Sequence, residues 1–453
     1  MRRVVKVSRI RIVMTIIVVI FVTLLTGCTG KEPNEIAYVV ALGIDSTDDD
    51  NYKITIQYAN TTQISGGASE SGGKAGSEIV DNVTIEAPNI YAGVGLANNI
   101  VSKSFSMSHA KLIVFSKEIA EKGVKDMIET LVRSEEIRPD VFIAVANTTA
   151  NDYLTSVNPE MEVNPAQYYQ LIYQKNQLVG IPDGQLREFF TGLYTDNYDS
   201  ILPVAGVIEG SGGNSQNDDK GQSKDSQNEG SEGSSESFDS FESKSSDENE
   251  KEKDAEKNTS KYEYDIKNYI GGETAIEKKN KAEAIGAAVF EKDKMVGELG
   301  EVETEICKML KGDYTYSYLT YYNNDTPDIP ITVKTTQQKK PKYKIDTDKK
   351  TVDIELYIES DLYSLPSDYN VENKIEDFER DVANYTSSAC TEFINNFTKK
   401  YNSDILKLNK KVKYKFLTNN QYNWFKKNVG WSEYKFSVCT NFKVRRTGLI
   451  VRE

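Results

Sequence analysis

Hydrophobic and polar positions change rhythm along this chain. Tyr38 to Asp45 is a strand-like apolar run, and Tyr52-Lys53-Ile54-Thr55-Ile56-Gln57-Tyr58 alternates with period two, so the pair predicts a β-hairpin. A strand near Val83 follows the Gly/Ser loop at Ser65 to Gly76, and Pro88 opens a small-residue helix to about Val101. Ala110 to Phe115 is a strand. Lys117 to Arg133 sets Ile119, Val124, Ile128, Leu131 and Val132 on one helical face, and Pro139-Asp140 leads into the strand Val141 to Ala146. Asn164 to Tyr173 and Leu186 to Leu193 are helical, and Ile201 to Ile208 returns to strand.

Further strands are predicted at Ala284 to Phe290, Tyr314 to Tyr321, Ile329 to Lys334 and Val352 to Ile358, several of them antiparallel. A long helix carries Ile375, Phe378, Val382, Tyr385, Ala389, Phe393, Phe397 and Tyr401 at spacings of three and four. In Val412-Lys413-Tyr414-Lys415-Phe416 lysines alternate with apolar residues, which predicts a strand with a solvated basic face. The expected fold class is α+β or α/β: multi-domain, with mixed, mostly antiparallel sheets and packed helices. No internal repeat is present.

Residues 209–261 interrupt this order. Glu209 to Ser260 holds thirteen Ser but only Phe238, Phe241 and Ala255 as apolar residues, too few to offset the entropy of ordering the segment. A disordered acidic linker is expected there, dividing an N-terminal region, 35–208, from a C-terminal region, 262–453.

The amino end has a third character. Arg2, Arg3, Lys6, Arg9 and Arg11 precede an apolar run from Ile12 to Leu25, about 21 Å of helix against a hydrocarbon core of roughly 30 Å. That length suits a signal peptide, 1–27, better than a permanent span. Leu25-Thr26-Gly27-Cys28 resembles the bacterial lipobox, in which the Cys28 thiol takes a diacylglyceryl group; residues 28–34 are then a lipidated tether. Acyl burial at about 0.8 kcal/mol per CH₂ makes two or three chains a firm anchor to the bilayer. The expected location is the outer face of a bacterial cytoplasmic-type membrane.

Charge and cysteine content narrow the function classes. The net charge of −14 is concentrated: Glu209 to Ser260 contributes 15 acids against 6 lysines, whereas Lys399 to Glu453 has 14 Lys or Arg against 3 acids. The basic end of an exported protein is not read as nucleic-acid binding. Lys443, Arg445 and Arg446 are the candidate contacts to anionic lipid headgroups or an acidic partner. With Cys28 acylated, Cys307, Cys390 and Cys439 match no zinc spacing and allow one disulfide at most. His109, the single histidine, has no convincing catalytic partner, and Gly93-Val94-Gly95 lacks the third glycine of a dinucleotide loop. No cofactor, metal or catalytic residue is assigned. A pair of carboxylates acting in an envelope hydrolase is the third-ranked alternative.

Several stretches, in order, resemble the Ger(x)C family, the lipoprotein C subunits of spore germinant receptors. They are Glu35 to Asp45, ending Ala-Leu-Gly-Ile-Asp; Ser108 to Phe115; Glu136 to Phe142 with its Arg-Pro-Asp turn; Ala287 to Phe290 followed by Lys294 to Leu299; Tyr422 to Phe425; and Val444 to Leu449. One departure is clear: the family's Leu-Gly-x-Gly near Asp404-Ile405-Leu406 is absent, and Lys407 stands after Leu406. The resemblance implies a multi-domain, non-enzymatic lipoprotein that acts with membrane-embedded receptor subunits in the response of dormant spores to small nutrients; whether this subunit contacts the nutrient directly or indirectly stays open. The alternative is a substrate-binding lipoprotein of a membrane transporter.

Overall fold

The computed structural model describes residues 13–17, 35–49, 51–59, 80–159, 162, 164–174, 180–195, 198–208, 268–274, 280–323, 326–364, 374–401 and 403–446. Residues 13–17 are helical. Among the described residues, no helix is long and apolar enough to cross a membrane. Cys28 and the expected acidic linker at 209–261 lie outside the described residues.

The architecture is a multi-domain α+β fold of two sheets. The first comprises β1 (Ile36–Ser46), β2 (Tyr52–Ala59), β3 (Val80–Ala87), β4 (Ser104–Ser106), β5 (Leu112–Ser116), β6 (Phe142–Ala146), β7 (Ile201–Val207), β8 (Ala282–Glu291) and β9 (Lys294–Leu299). Its order is β3-β2-β1-β5-β6-β7-β8-β9, with β4 beside β1. The centre, β1-β5-β6-β7, is parallel and the flanks are antiparallel. Strands covered on both faces need apolar residues throughout, and β5 (LIVFS) and β6 (FIAVA) are wholly buried.

One face packs under α1 (Ile90–Ala97), α2 (Lys117–Lys122), α3 (Lys125–Arg133) and α6 (Leu186–Thr195); the other under α4 (Ala150–Ser156) and α5 (Pro165–Gln174). The helix expected from Lys117 to Arg133 is two helices. Gly123 at φ +124° ends α2, and the Val124 N–H donates instead to Asp293 O at 3.0 Å, in the β8–β9 turn. Likewise α1 starts after Pro88, because the Asn89 side chain caps it by accepting from the Ala92 N–H at 2.9 Å.

The second sheet is β10 (Tyr316–Asn323), β11 (Thr326–Asp346), β12 (Thr351–Ser364) and β13 (Lys435–Arg446), an antiparallel meander with β13 added parallel to β12. Helices α7 (Glu301–Lys311) and α8 (Ile375–Tyr401) cover one face. The first sheet takes strands from both sides of 209–261: β7 and β8 pair antiparallel with Ile201 opposite Val289. The core under α7 and α8 also takes in Ala287, Val289 and Leu299 from the first sheet.

Val412 to Phe416 corrects an expectation: it is not a strand. Leu408–Val412 forms α9, and Lys413–Lys415 continues as a 3-10 turn before α10 (Asn419–Asn428). Val412 and Phe416, four residues apart, turn toward the core, while Tyr414 is fully outside. Five residues of alternation suit period two and a helical i, i+4 pair equally.

The apolar stripe of α8 was expected; its polar neighbours do further work. β13 is an edge strand, and its outward N–H groups need partners. The N–H groups of Phe436, Val438, Thr440 and Val444 donate to Asn395 Oδ1 (3.1 Å), Thr391 Oγ1 (3.0 Å), Ser387 Oγ (2.9 Å) and Glu379 Oε1 (2.9 Å), and Asn395 Nδ2 donates back to Phe436 O (3.0 Å). Four residues of helix rise about 6.0 Å and two of strand about 6.6 Å, so the ladders stay in step antiparallel to one another. Replacing Thr391 by Val, or Asn395 by Leu, leaves buried strand groups unpaired. Each is expected to lower unfolding free energy by about 1–3 kcal/mol, measured by chemical denaturation.

Candidate functional site

The best-defined polar junction joins the two sheets around Asp199 and Asp404. The turn after α8 buries Asp404, whose carboxylate accepts the Leu408 and Asn409 N–H groups at 2.6 and 2.7 Å and so caps α9. The Asp404 N–H donates to Asp199 Oδ2 at 2.8 Å, the Asp199 N–H donates to Asp404 O at 3.1 Å, and the Lys292 N–H reaches Asp199 Oδ1 at 3.2 Å. One carboxylate therefore ties the entry of β7, the β8–β9 turn and the α8–α9 turn together. Burial, reinforced by the charge of Asp199, pushes the Asp404 carboxyl up to about 7 against the pull of its two backbone donors.

Lys407 has φ 57° and ψ 37°, the left-handed region where glycine is at no disadvantage. Its Nζ lies 3.3 Å from Glu188 Oε2 and 4.4 Å from the centre of the Tyr198 ring. The Tyr198 hydroxyl donates to Glu188 O at 2.9 Å. These contacts offset part of the backbone strain.

Beside the junction opens a cleft of about 430 Å³, lined by Lys292, Lys426, Lys427, Glu291, Asn409 and Asn423, with Tyr198 and Asp199 behind. Asp199 is already engaged by backbone donors, which leaves three lysines, one glutamate and two asparagines in the lining. That arrangement suits an anionic or zwitterionic group. No sequence signal marked Lys292, Lys426 or Lys427 as site residues, because turn and helix lysines read as ordinary solvated charge; Asn423 was legible only as part of the Tyr422 to Phe425 motif.

The residues singled out in the sequence are dispersed. Lys443, Arg445 and Arg446 end β13, where Lys443 pairs with Glu379, Arg445 with Glu359 at 3.2 Å, and Arg446 stands opposite Asp361 in the register. His109 Nδ1 is 3.0 Å from Ser108 Oγ, and its ring meets Tyr38 edge-on at 4.8 Å. The Cys307 and Cys390 thiols are buried, and that burial raises them to about 11 and about 12. Among the described residues no three His, Cys, Asp or Glu side chains are grouped to hold a metal ion. A Cβ at Gly93 would meet Ile54 Cδ1 at 2.6 Å, so this glycine serves close packing of α1.

The motifs that carry the resemblance also resolve into packing. Asp45, ending Ala-Leu-Gly-Ile-Asp, accepts the Ala150 and Asn151 N–H groups at 2.6 and 3.0 Å and holds the start of α4. A Cβ at Gly43 would lie 3.1 Å from Ala150 Cβ, so glycine lets α4 sit directly on β1. The Arg138-Pro139-Asp140 turn closes with Val141 N–H to Arg138 O at 3.1 Å and receives the start of α6 through Arg187 N–H to Pro139 O at 3.0 Å.

Two mixed sheets with packed helices define the class; comparison with known proteins defines the family. The model for the spore germination protein N-terminal domain matches residues 30–207, and that for spore germination B3/GerAC like, C-terminal, matches residues 285–448. The chain belongs to the Ger(x)C family of spore germination proteins. It is similar to spore germination protein KC of Bacillus subtilis (strain 168), 27% identical over 173 residues covering 35% of this chain and 42% of that protein. It is also similar to spore germination protein B3 of the same organism, 26% identical over 148 residues, 30% of this chain and 36% of that one. GerQC of Bacillus cereus is 27% identical over 104 residues, 23% and 29% of the two chains. Each match thus spans less than half the relative's length. Among solved structures, the crystal structure of the GerBC protein is similar with a TM-score of 0.48 at 15% identity, covering 89% of this chain and 96% of that one.

Two outcomes follow from the junction. The folded Asp404 carboxyl titrates above its ordinary range, so the native state binds a proton that the unfolded chain has released. Stability is expected to fall as pH rises from about 4 to about 7, and Asp404→Asn to flatten that slope in pH-dependent thermal denaturation. Lys407→Gly is expected to be more stable than Lys407→Ala by about 1 kcal/mol, since both lose the Glu188 pair but only alanine keeps the strained backbone; equal stability would remove the strain argument.

Proposed function

We propose that this chain is a non-enzymatic lipoprotein subunit of a spore germinant receptor, acting with membrane-embedded partner subunits in nutrient-triggered germination. The observation that carries the reading is the pair of family matches, in order, across 30–207 and 285–448. The relatives named as spore germination proteins support the process, and the contacts of Asp45, Gly43 and the Arg138-Pro139-Asp140 turn support a structural rather than a chemical role for those segments. In this reading residues 1–27 are the export signal, Cys28 carries the acyl chains, 28–34 are the tether and 209–261 a linker. The protein then sits on the outer face of the cytoplasmic or spore inner membrane.

A transporter-type substrate-binding lipoprotein is the second reading, favoured by one observation, the cleft beside Asp199. Micromolar binding of a nutrient by the chain alone would support it.

Deleting the gene is expected to abolish the response of dormant spores to one nutrient class, with wild type restoring it and Cys28→Ala failing to do so. Germination of the deletion strain at wild-type rate on every nutrient would count against the receptor reading. Full rescue by Cys28→Ala would count against the anchor.

A further inference from the structure

The basic carboxyl end is not one surface. Its terminal cations on β13 face carboxylates of α8 and β12, as described above. The segment from Lys407 to Asn428 is different: it holds seven lysines and no Asp or Glu. Lys407 is tied to Glu188, while Lys411 and Lys415 turn back to donate to Leu406 O and Ile345 O. Lys410, Lys413 and Lys427 are exposed, and Lys426, half-buried, lines the cleft together with Lys427.

Large, mostly exposed apolar side chains stand among these lysines. Leu417 is 95% exposed, Tyr414 88% and Trp424 65%, whereas their chain neighbours Val412, Tyr422 and Phe425 are buried. The two arms of the segment form one surface block: Phe416 packs on Tyr422 and Phe425 with ring centres 5.9 and 5.0 Å apart, and Lys413 and Lys426 both lie over the Tyr422 ring, at 5.7 and 5.6 Å. The short helix α9, the 3-10 turn and α10 thus present Trp, Tyr and Leu side chains interspersed with lysines and lacking any carboxylate.

We infer that this α9–α10 surface docks on a bilayer containing anionic lipid, with Leu417, Tyr414 and Trp424 entering the interface and Lys410, Lys413, Lys426 and Lys427 meeting the headgroups. Three features of the surface select a membrane over a protein. The apolar groups are single side chains and not a groove; Trp and Tyr suit the wet boundary of a bilayer; and lysines can bury their stems beside the apolar groups while keeping the charge in water. The excess of lysines, with Glu291 the acidic side chain on the cleft side, complements anionic headgroups. The cleft, which shares Lys426 and Lys427 with α10, offers space at the rim for a headgroup phosphate. The inference deepens the membrane-bound reading and does not depend on Cys28.

The test is vesicle flotation of residues 29–453, which carry all thirteen strands and all ten helices named above but no acyl chain. Vesicles are phosphatidylcholine alone or with about 30% phosphatidylglycerol, at low and high salt. Binding is expected only to the anionic vesicles and to weaken about tenfold or more in the K410E/K413E/K426E/K427E variant and at high salt. Leu417→Ser, at a fully exposed position, is expected to weaken binding severalfold with unchanged thermal unfolding. The emission of Trp424, the exposed one of two tryptophans, should shift to the blue on binding. No anionic preference, or equal binding by the lysine variant, overturns the inference. Failure of vesicle binding together with a germination defect in Leu417→Ser assigns the surface to a protein partner and overturns it too. Because the chain tested has no acyl group, none of these outcomes bears on the lipid anchor.

Discussion

Strand β8 serves three cores, and that constraint organises the molecule. Ala282 and Ala284 pack with α4 and α5; Ala288 and Phe290 lie in the core under α2, α3 and α6; Ala287 and Val289 belong to the core under α7 and α8. Simple alternation cannot place 284 and 287 on one face. A bulge does: two steps on β7, Pro203 to Ala205, oppose three on β8, Ala287 to Ala284. Gly286 sits in it at φ +85°, where a Cβ would lie 2.7 Å from Leu299 O. Glycine at this position lets one strand serve both halves of the chain, and small alanines let three layers approach it.

The Asp199–Asp404 junction follows from that arrangement. Once β7 and β8 are neighbours, the entry to β7 and the β8–β9 turn lie side by side, and a single carboxylate can take an N–H from each of Asp404 and Lys292. The α8–α9 turn is therefore held against the first sheet, while α8 itself is keyed to β13 by side chains from Glu379 to Asn395. Rigid attachment at both ends of α8 fixes where α9 and α10 emerge. The exposed segment is presented by a clamped scaffold, which a docking surface requires.

Much of this was legible beforehand, and the limits have physical causes. The β1–β2 hairpin, the central apolar strands and the whole of α8 follow from periodicity, because burial on one or both faces leaves a regular record. Gly123 is not legible as a helix end, since the partner that replaces the lost helical bond, Asp293 O, is far away in sequence. The edge-strand caps on α8 were invisible for a related reason. Ser387, Thr391 and Asn395 read as a solvated helix face until β13 is placed beside them. The family motifs were legible as landmarks, but their meaning as the seats of α4 and α6 needed tertiary partners.

Charge shows the same limit most sharply. Counting gave the last 55 residues one basic character, with the terminal cations of β13 as its natural focus. In the fold, the sign of a surface depends on what lies across the strand or helix. Glu359 and Asp361 on β12 and Glu379 on α8 stand against the β13 cations, and an exposed ion pair of this kind presents little net field to a partner. The lysines of Lys407 to Asn428 have no carboxylate in their own segment, and Lys410, Lys413 and Lys427 are exposed. Interaction potential thus moves from the end of β13 to α9 and α10, where it coincides with apolar side chains that the core leaves uncovered.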